Sequence, residues 1–309
     1  MPTTRRRFLH DSTLGLGALA ALGLANSARA ADSAPAKAAK KAAGPTRSFV
    51  TGKPLHRLGM VTYNLGKDWD VATIIKNCTE AKFEGVELRT THRHGVEVAL
   101  SKAERAEVKK RFADSPVQLA SLGSAYDYHT PDQTKLRQDI EATKAYIQLA
   151  HDVGATGVKV RPNALPKGVP EAKTLEQIGL SLRELGQFGA GLGQQIRLEV
   201  HGSETSRGPR CRRIMDVADH PAVGICWNSN PTDLEDGGFD ANFDLLKHRM
   251  FIVHLRDLHL EDYPFRRLFT RLNEIKFTGF AFAEIPESSD PVRVMKYFRS
   301  LWLAYQGLL

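Results

Sequence analysis

Between residue 58 and the C-terminus, short apolar runs alternate with helix-length amphipathic segments eight times over. The strand-like runs are 58–64 (LGMVTYN), 85–90 (GVELRT), 117–123 (VQLASLG), 157–162 (GVKVRP), 196–200 (IRLEV), 223–228 (VGICWN), 251–257 (FIVHLRD) and 279–285 (GFAFAEI). The intervening segments carry helix signals: Asp70 and Ser101 as N-caps, Gly154 as a terminating glycine and Pro291 in a first turn. Regular alternation implies a parallel sheet with crossover helices. Eight units in roughly 250 residues have the size of a closed (β/α)8 barrel. The alternative, a doubly wound open sheet, normally carries a Gly-rich phosphate loop after its first strand, and TYNLGKDWD is not one. The expectation is a single α/β barrel domain over 51–309.

The strands constrain the interior as well. Parallel strands buried on both faces usually read as unbroken apolar runs, but these alternate. Val86 and Leu88 stand against Glu87 and Arg89, Val158 and Val160 against Lys159 and Arg161. Leu198 and Val200 stand against Glu199 and His201, Val253 and Leu255 against His254 and Arg256. With a period of two, one set faces the helices and the other the barrel axis. Burying so many charges is costly unless they pair, bind metal or open to water. A barrel whose upper interior is a polar pocket meets that condition.

The last four strand runs each end in a group able to bind a divalent cation: Glu199, Asn228, His254 and Glu284. Four such groups at matching points imply one shared site at the C-terminal strand ends, where barrels of this kind place their chemistry. Glu87, Arg89, His92, Lys159, Arg161, His201 and Arg256 are the candidate substrate-binding residues. The basic members suit a carboxylate, a phosphate or an enolate oxygen, or else form internal salt bridges with Glu87 and Asp257. His92 and His94 in THRHG fit a lid touching substrate better than a shared metal. Tyr126, Tyr128 and Trp227 are either a wall for a sugar face or core, with Trp227 alternating outward from Asn228.

Ahead of the barrel, Thr4–Leu9 (TRRRFL) resembles a twin-arginine export signal. An apolar stretch from Leu14 to Leu24 and the small-x-small site Ala28-Arg29-Ala30 follow. The stretch is shorter than the roughly 20 residues that span a bilayer, so cleavage after Ala30 and a periplasmic product are expected, with no lasting membrane span. Residues 31–50 are an Ala/Lys/Pro-rich linker with little to bury, read as disordered. Positions 1–47 hold eight Lys/Arg and two acids, hence +6 of the formal +8, and the remaining 262 residues carry only +2. That leaves no electrostatic case for nucleic acid. Cys78, Cys211 and Cys226 lack metal-type spacing; Cys78 and Cys226 sit among apolar neighbours and read as small core residues, with a Cys211–Cys226 disulfide after export the less favoured alternative.

With LEVHG, VHLRD and the glutamate of FAEI in view, residues of about 55–305 resemble the sugar phosphate isomerase/epimerase family, the xylose isomerase-like TIM barrels. The resemblance implies one divalent ion (Mn, Mg, Co or Zn) held by Glu199, His254, Glu284 and a strand-six residue. The family has an aspartate there; this chain has Asn228, with Asp233 a less direct substitute. It also implies that Glu199 and Glu284 both ligate and shuttle protons, in a sugar isomerase or epimerase working through a metal-stabilised enediolate. The alternatives are a lyase or dehydratase of the same family, such as one eliminating from a 3-keto-glycoside, and a sugar-binding barrel without turnover. The partner expected is a sugar or sugar derivative, and homo-oligomerisation is left open.

Overall fold

The computed structural model describes residues 48–309. The signal peptide expected over 1–30 and most of the linker fall outside the described residues. The linker's last three residues, 48–50, have no regular secondary structure, although Val50 already packs against the core. Thr51 then donates its N–H to the Leu308 carbonyl, joining the two ends of the described chain.

Eight parallel strands close into a barrel in chain order. They are β1 (Arg57–Val61), β2 (Gly85–Arg89), β3 (Gln118–Asp127), β4 (Gly157–Arg161), β5 (Gln195–Glu199), β6 (Val223–Asn228), β7 (Met250–Leu255) and β8 (Phe280–Ala283). Each is followed by a helix: α1 (Val71–Ala81), α2 (Lys102–Ala113), α3 (Gln133–Val153), α4 (Glu171–Ala190), α5 (Gly208–Ala218), α6 (Phe239–Leu246), α7 (Phe265–Glu274) and α8 (Pro291–Tyr305). The helices begin where the sequence signals them. The Asp70 side chain accepts from Thr73 N–H, Ser101 and Glu104 form a reciprocal capping box, and Gly154 ends α3 at φ +83°. Among the described residues, no helix is long and apolar enough to cross a membrane.

The apolar residues form two unequal sets. The larger lies between the sheet and the helices and includes Val86, Leu88, Val158, Val160, Leu198 and Val253. The smaller, inside the cylinder, is Val61, Ala120, Cys226, Ile252, Phe280 and Phe282. The stacked rings of Phe280 and Phe282 (5.1 Å) plug the lower axis. They fit because β1 and β2 offer glycines there: a Cβ on Gly59 would lie 2.5 Å from Phe282, and one on Gly85 2.4 Å from Phe280. Trp227 points outward, edge-on to Phe239, with its indole N–H donating to the Tyr263 hydroxyl at 3.0 Å. The same alternation separates the cysteines: Cys226 faces the axis, whereas Cys211 is in the helix-side core and donates to the Thr205 carbonyl. All three cysteines are free. A sheet wall divides Cys211 from Cys226, which excludes the disulfide considered above.

Gly85→Ala must therefore displace the Phe280 ring. The expected cost is roughly 1–3 kcal/mol of overpacking, or a Tm loss of roughly 2–4 °C per kcal/mol. Gly191→Ala, whose Cβ would approach nothing closer than 3.5 Å, serves as the control in thermal denaturation. Equal Tm values for the two variants would contradict this packing.

Candidate active site

Above the phenylalanine plug, ionisable side chains converge at the C-terminal end of the barrel. Glu199 is the last residue of β5 and His254 the penultimate residue of β7. Glu284 directly follows β8, anchored by its N–H to the Leu255 carbonyl at 2.9 Å. One ligand atom from each of these three lies within 4.8 Å of the others. His254 Nδ1 is 3.5 Å from Glu199 Oε1 and 3.4 Å from Glu284 Oε2. Its Nε2 is turned down toward Glu87 Oε1 at 3.3 Å. Lys159, on β4, donates to Glu199 Oε2 at 2.7 Å and so leaves Oε1 to face the cluster.

Burial and mutual charge fix the protonation states. Burial opposes ionisation of Glu199, but Lys159 and His254 beside it hold its carboxyl far below the usual range. Glu87, also opposed by burial, is lowered by His254 and Lys159. Burial disfavours a proton on His254; Cys226, Glu87 and Glu199 outweigh it and keep the imidazole pKa well above its ordinary value. Lys159 is raised in the same way, Glu199 and Glu87 overcoming its desolvation. His201 is lowered, chiefly by burial. The result is a cluster of carboxylates held ionised around two cations.

A small cavity of about 70 Å³ opens above, lined by Val61, Tyr63, Arg89, Lys159, Arg161, Glu199, His201 and Glu284. Lys159, Arg161, Arg89 and His201 therefore meet where the strand alternation places them. Three other expected substrate contacts do not. Glu87 is wholly buried beneath His254 and meets the imidazole, not the cavity. Gly123 makes room for it, since a Cβ there would lie 2.7 Å from Glu87 Oε1. Arg256 follows β7 directly, as Glu284 follows β8, but it donates to the Ser229 carbonyl and pairs with Asp262 instead of lining the cavity. His92 accepts no place in the cavity lining: its Nδ1 sits 2.9 Å from the Thr62 carbonyl and its ring stacks on Tyr63 at the rim. His94 braces the same loop, Nε2 donating to the Arg89 carbonyl and Nδ1 accepting from Val96 N–H.

Two cavity residues, Val61 and Tyr63, were not singled out from the sequence, although their run was read as a strand. Arg197, below the site, was also passed over; it is buried and donates to the Ala120 carbonyl, Gln195 and Thr156. Tyr128 is buried in the core against Thr143 and walls no cavity, whereas Tyr126 packs on Tyr146 and lines a neighbouring pocket of about 340 Å³. A larger cleft of about 490 Å³, bordered by Gln195, Met250 and Gly279, opens at the opposite end of the barrel, away from the carboxylates.

The donor set fits a divalent cation. Two carboxylates and an imidazole converge, and both ring nitrogens of His254 lack an aligned hydrogen bond. Glu87 beneath Nε2 supplies the carboxylate support that metal-binding histidines commonly have. Asn228 lies at the edge of the cluster with Nδ2, not Oδ1, toward Glu199 Oε1 at 3.4 Å. Serving as a fourth ligand requires a half-turn of its amide. Asp233 is elsewhere: it is buried, accepts from Tyr263 Oη–H at 2.6 Å and is pushed up to about 7 by burial.

A family profile described as "xylose isomerase-like TIM barrel" matches residues 75–301. No curated protein sequence matches the chain. Among solved structures the chain is similar to the IolI protein with a bound zinc atom, at 14% identity, covering 81% of this chain and 98% of that one, with a TM-score of 0.68. It is similar to the apo 3-keto-D-glucoside 4-epimerase of E. coli at 15% identity, covering 81% and 99%, with a TM-score of 0.67. A probable 3-DHS dehydratase from Bacillus anthracis matches at 14% identity, covering 80% and 98%, with a TM-score of 0.62. At such identities these structures establish a common fold.

Because Cys226 and the neighbouring carboxylates raise the His254 pKa against burial, a cation binding at Nδ1 competes with a proton. Mn²⁺ affinity is expected to rise about tenfold per pH unit below the raised His254 pKa and to level off above it. Asn228→Asp adds a negative charge and is expected to tighten binding at every pH. Calorimetric titrations of Mn²⁺ at several pH values check both; an affinity independent of pH would remove His254 from the ligand set.

Proposed function

Because the chain belongs to the xylose isomerase-like TIM barrel family, we propose that it is a divalent-metal-dependent sugar isomerase or epimerase that removes a proton next to a carbonyl. The observation that carries this reading is the convergence of Glu199, His254 and Glu284, with both glutamates also facing the cavity. Glu199, His254 and Glu284, with Asn228 after its amide turns, would hold the cation, which would supply Lewis-acid polarisation of a carbonyl oxygen.

The chain's own residues provide the rest. Glu284, whose side chain is 21% exposed, meets the cavity directly and is the carboxylate placed to accept a substrate proton. Glu199 lies across the cluster, kept ionised by Lys159, and exchanges a proton on the other face of the substrate. The proton Glu199 returns is drawn from solvent at the cavity, because, against burial, Glu199 and Glu87 raise the Lys159 pKa and keep its own proton on the ammonium. Tyr63, stacked on His92, limits solvent entry at the rim.

A lyase is the second reading. His201, a group able to hydrogen-bond a departing hydroxyl or aglycone, lines the cavity beside Glu284. The two readings separate in one experiment: Mn²⁺-reconstituted protein is incubated with keto-sugars and 3-keto-glycosides in D2O and followed by NMR. Deuterium uptake at the carbon next to the carbonyl without chain loss is expected, and Glu284→Gln should slow it by about 10²–10⁴-fold. Release of an aglycone or water would support elimination instead. No uptake with any substrate, together with metal that cannot be restored to stoichiometry, would leave a sugar-binding barrel.

We also propose that the twin-arginine-like leader exports the chain to the periplasm. Replacing Arg5 and Arg6 by Lys should retain the protein in the cytoplasm on cell fractionation; unaltered export would refute that route.

A further inference from the structure

Arg89 and Arg161 project into the cavity without a carboxylate partner. Among the described residues, neither takes part in any ion pair, whereas Lys159 is paired with Glu199 and Arg256 with Asp262. Their known bonds are to neutral groups. Arg89 Nη1 donates to the Thr90 carbonyl and hydroxyl, and Arg161 Nη2 donates to the Ala125 carbonyl at 2.8 Å. Arg161 Nε is buried with no partner at all. A guanidinium presents five donors and cannot shed its charge, so both side chains keep donors in hand.

These arginines are also held in place. Arg89 N–H donates to Thr62 Oγ1 at 2.9 Å, while its carbonyl accepts from His94 Nε2 at 2.7 Å. Past Arg161, Asn163 adopts φ +73° and its side chain donates to Asp127. The Asn163 carbonyl packs so closely on Gly202 that a Cβ there would lie 2.0 Å from it. Gly202, at φ +96°, follows His201 and is the one position in this contact that only glycine satisfies.

The arginines stand at a partition. On one side is the 70 Å³ cavity over Glu199 and Glu284; on the other is a pocket of about 340 Å³ between the C-terminal ends of β2 and β3 and helix α3. Arg89 lines both, and Ala125, which Arg161 contacts, lines the second. The inner cavity alone is below the roughly 300–1,000 Å³ usual for ligand sites; the two together reach it. The outer pocket adds two carboxylates, but Asp139 meets Lys135 and Asp127 meets His129, so neither is spent on the arginines.

We propose that the substrate is an anionic sugar, its carboxylate or phosphate bound by Arg89 and Arg161 at this partition while its carbonyl end reaches the glutamates. The inference rests on the cavity being the sugar site proposed above. The test is calorimetry of the Mn²⁺-loaded protein with D-gluconate, sorbitol and sorbitol 6-phosphate, probes that differ in the terminal oxyanion. At least one anion should bind tenfold or more tightly than sorbitol, and the tighter of the two identifies carboxylate or phosphate. In the double variant Arg89→Gln/Arg161→Gln that preference should fall at least tenfold, with sorbitol and Mn²⁺ affinities retained; Arg→Lys changes should restore part of it. Equal binding of all three probes, no binding of any, or a preference that survives both glutamines would overturn the proposal. Deuterium uptake from a neutral ketose that is indifferent to the arginines would overturn it too, while leaving the epimerase reading intact. Anion binding lost in the double variant, with no uptake from any sugar, would sink the epimerase reading alone.

Discussion

The upper half of the barrel depends on a column of charge kept out of water by mutual pairing. Lys159 with Glu199, and His254 between Glu87, Glu199 and Glu284, put five ionisable groups where apolar packing would ordinarily be. Each alone would carry a large desolvation penalty. Four of them favour one another's ionised forms, with Lys159 and His254 raised and Glu87 and Glu199 lowered. Such an interior gains little stability over an apolar one, which marks it as a functional feature of the fold.

The lower half makes this arrangement rigid. Phe280 and Phe282 fill the axis against Gly59 and Gly85, so Glu87 and His254 rest on a packed floor. His254 is therefore not a rim residue: it is almost entirely enclosed, and removing its ring would strand Glu87 and Glu199 as well as remove one member of the candidate metal site. Glu284 differs, being the partly exposed member that connects the buried cluster to the cavity. Structure below, reactivity above and a single imidazole joining them are the division of labour in this barrel.

The arginines extend the same logic outward. Pairing is complete at the cluster's centre and stops at Arg89 and Arg161, which are braced through their backbones yet left without counter-ions. Charge left unpaired beside a cavity, on side chains whose backbones are fixed, is what an anionic substrate needs.

The eight-fold alternation, the caps at Asp70 and Ser101 and the period-two patterning of β2, β4, β5 and β7 were enough to specify a closed barrel. They also specified which side chains face its axis. Local chemistry encodes these features, because cap geometry and strand pleat act over a few residues. The convergence of Glu199, His254 and Glu284 was legible for the same reason, each standing at or next to the C-terminal end of its strand. Depth, amide orientation and pairing were not legible. Arg256 left the axis because the Ser229 carbonyl and Asp262 hold its guanidinium, Glu87 sank below His254 because Gly123 yields space on a neighbouring strand, and Asn228 turned its nitrogen toward Glu199. Those outcomes turn on contacts between strands that are distant in sequence, and only the closed tertiary structure sets them.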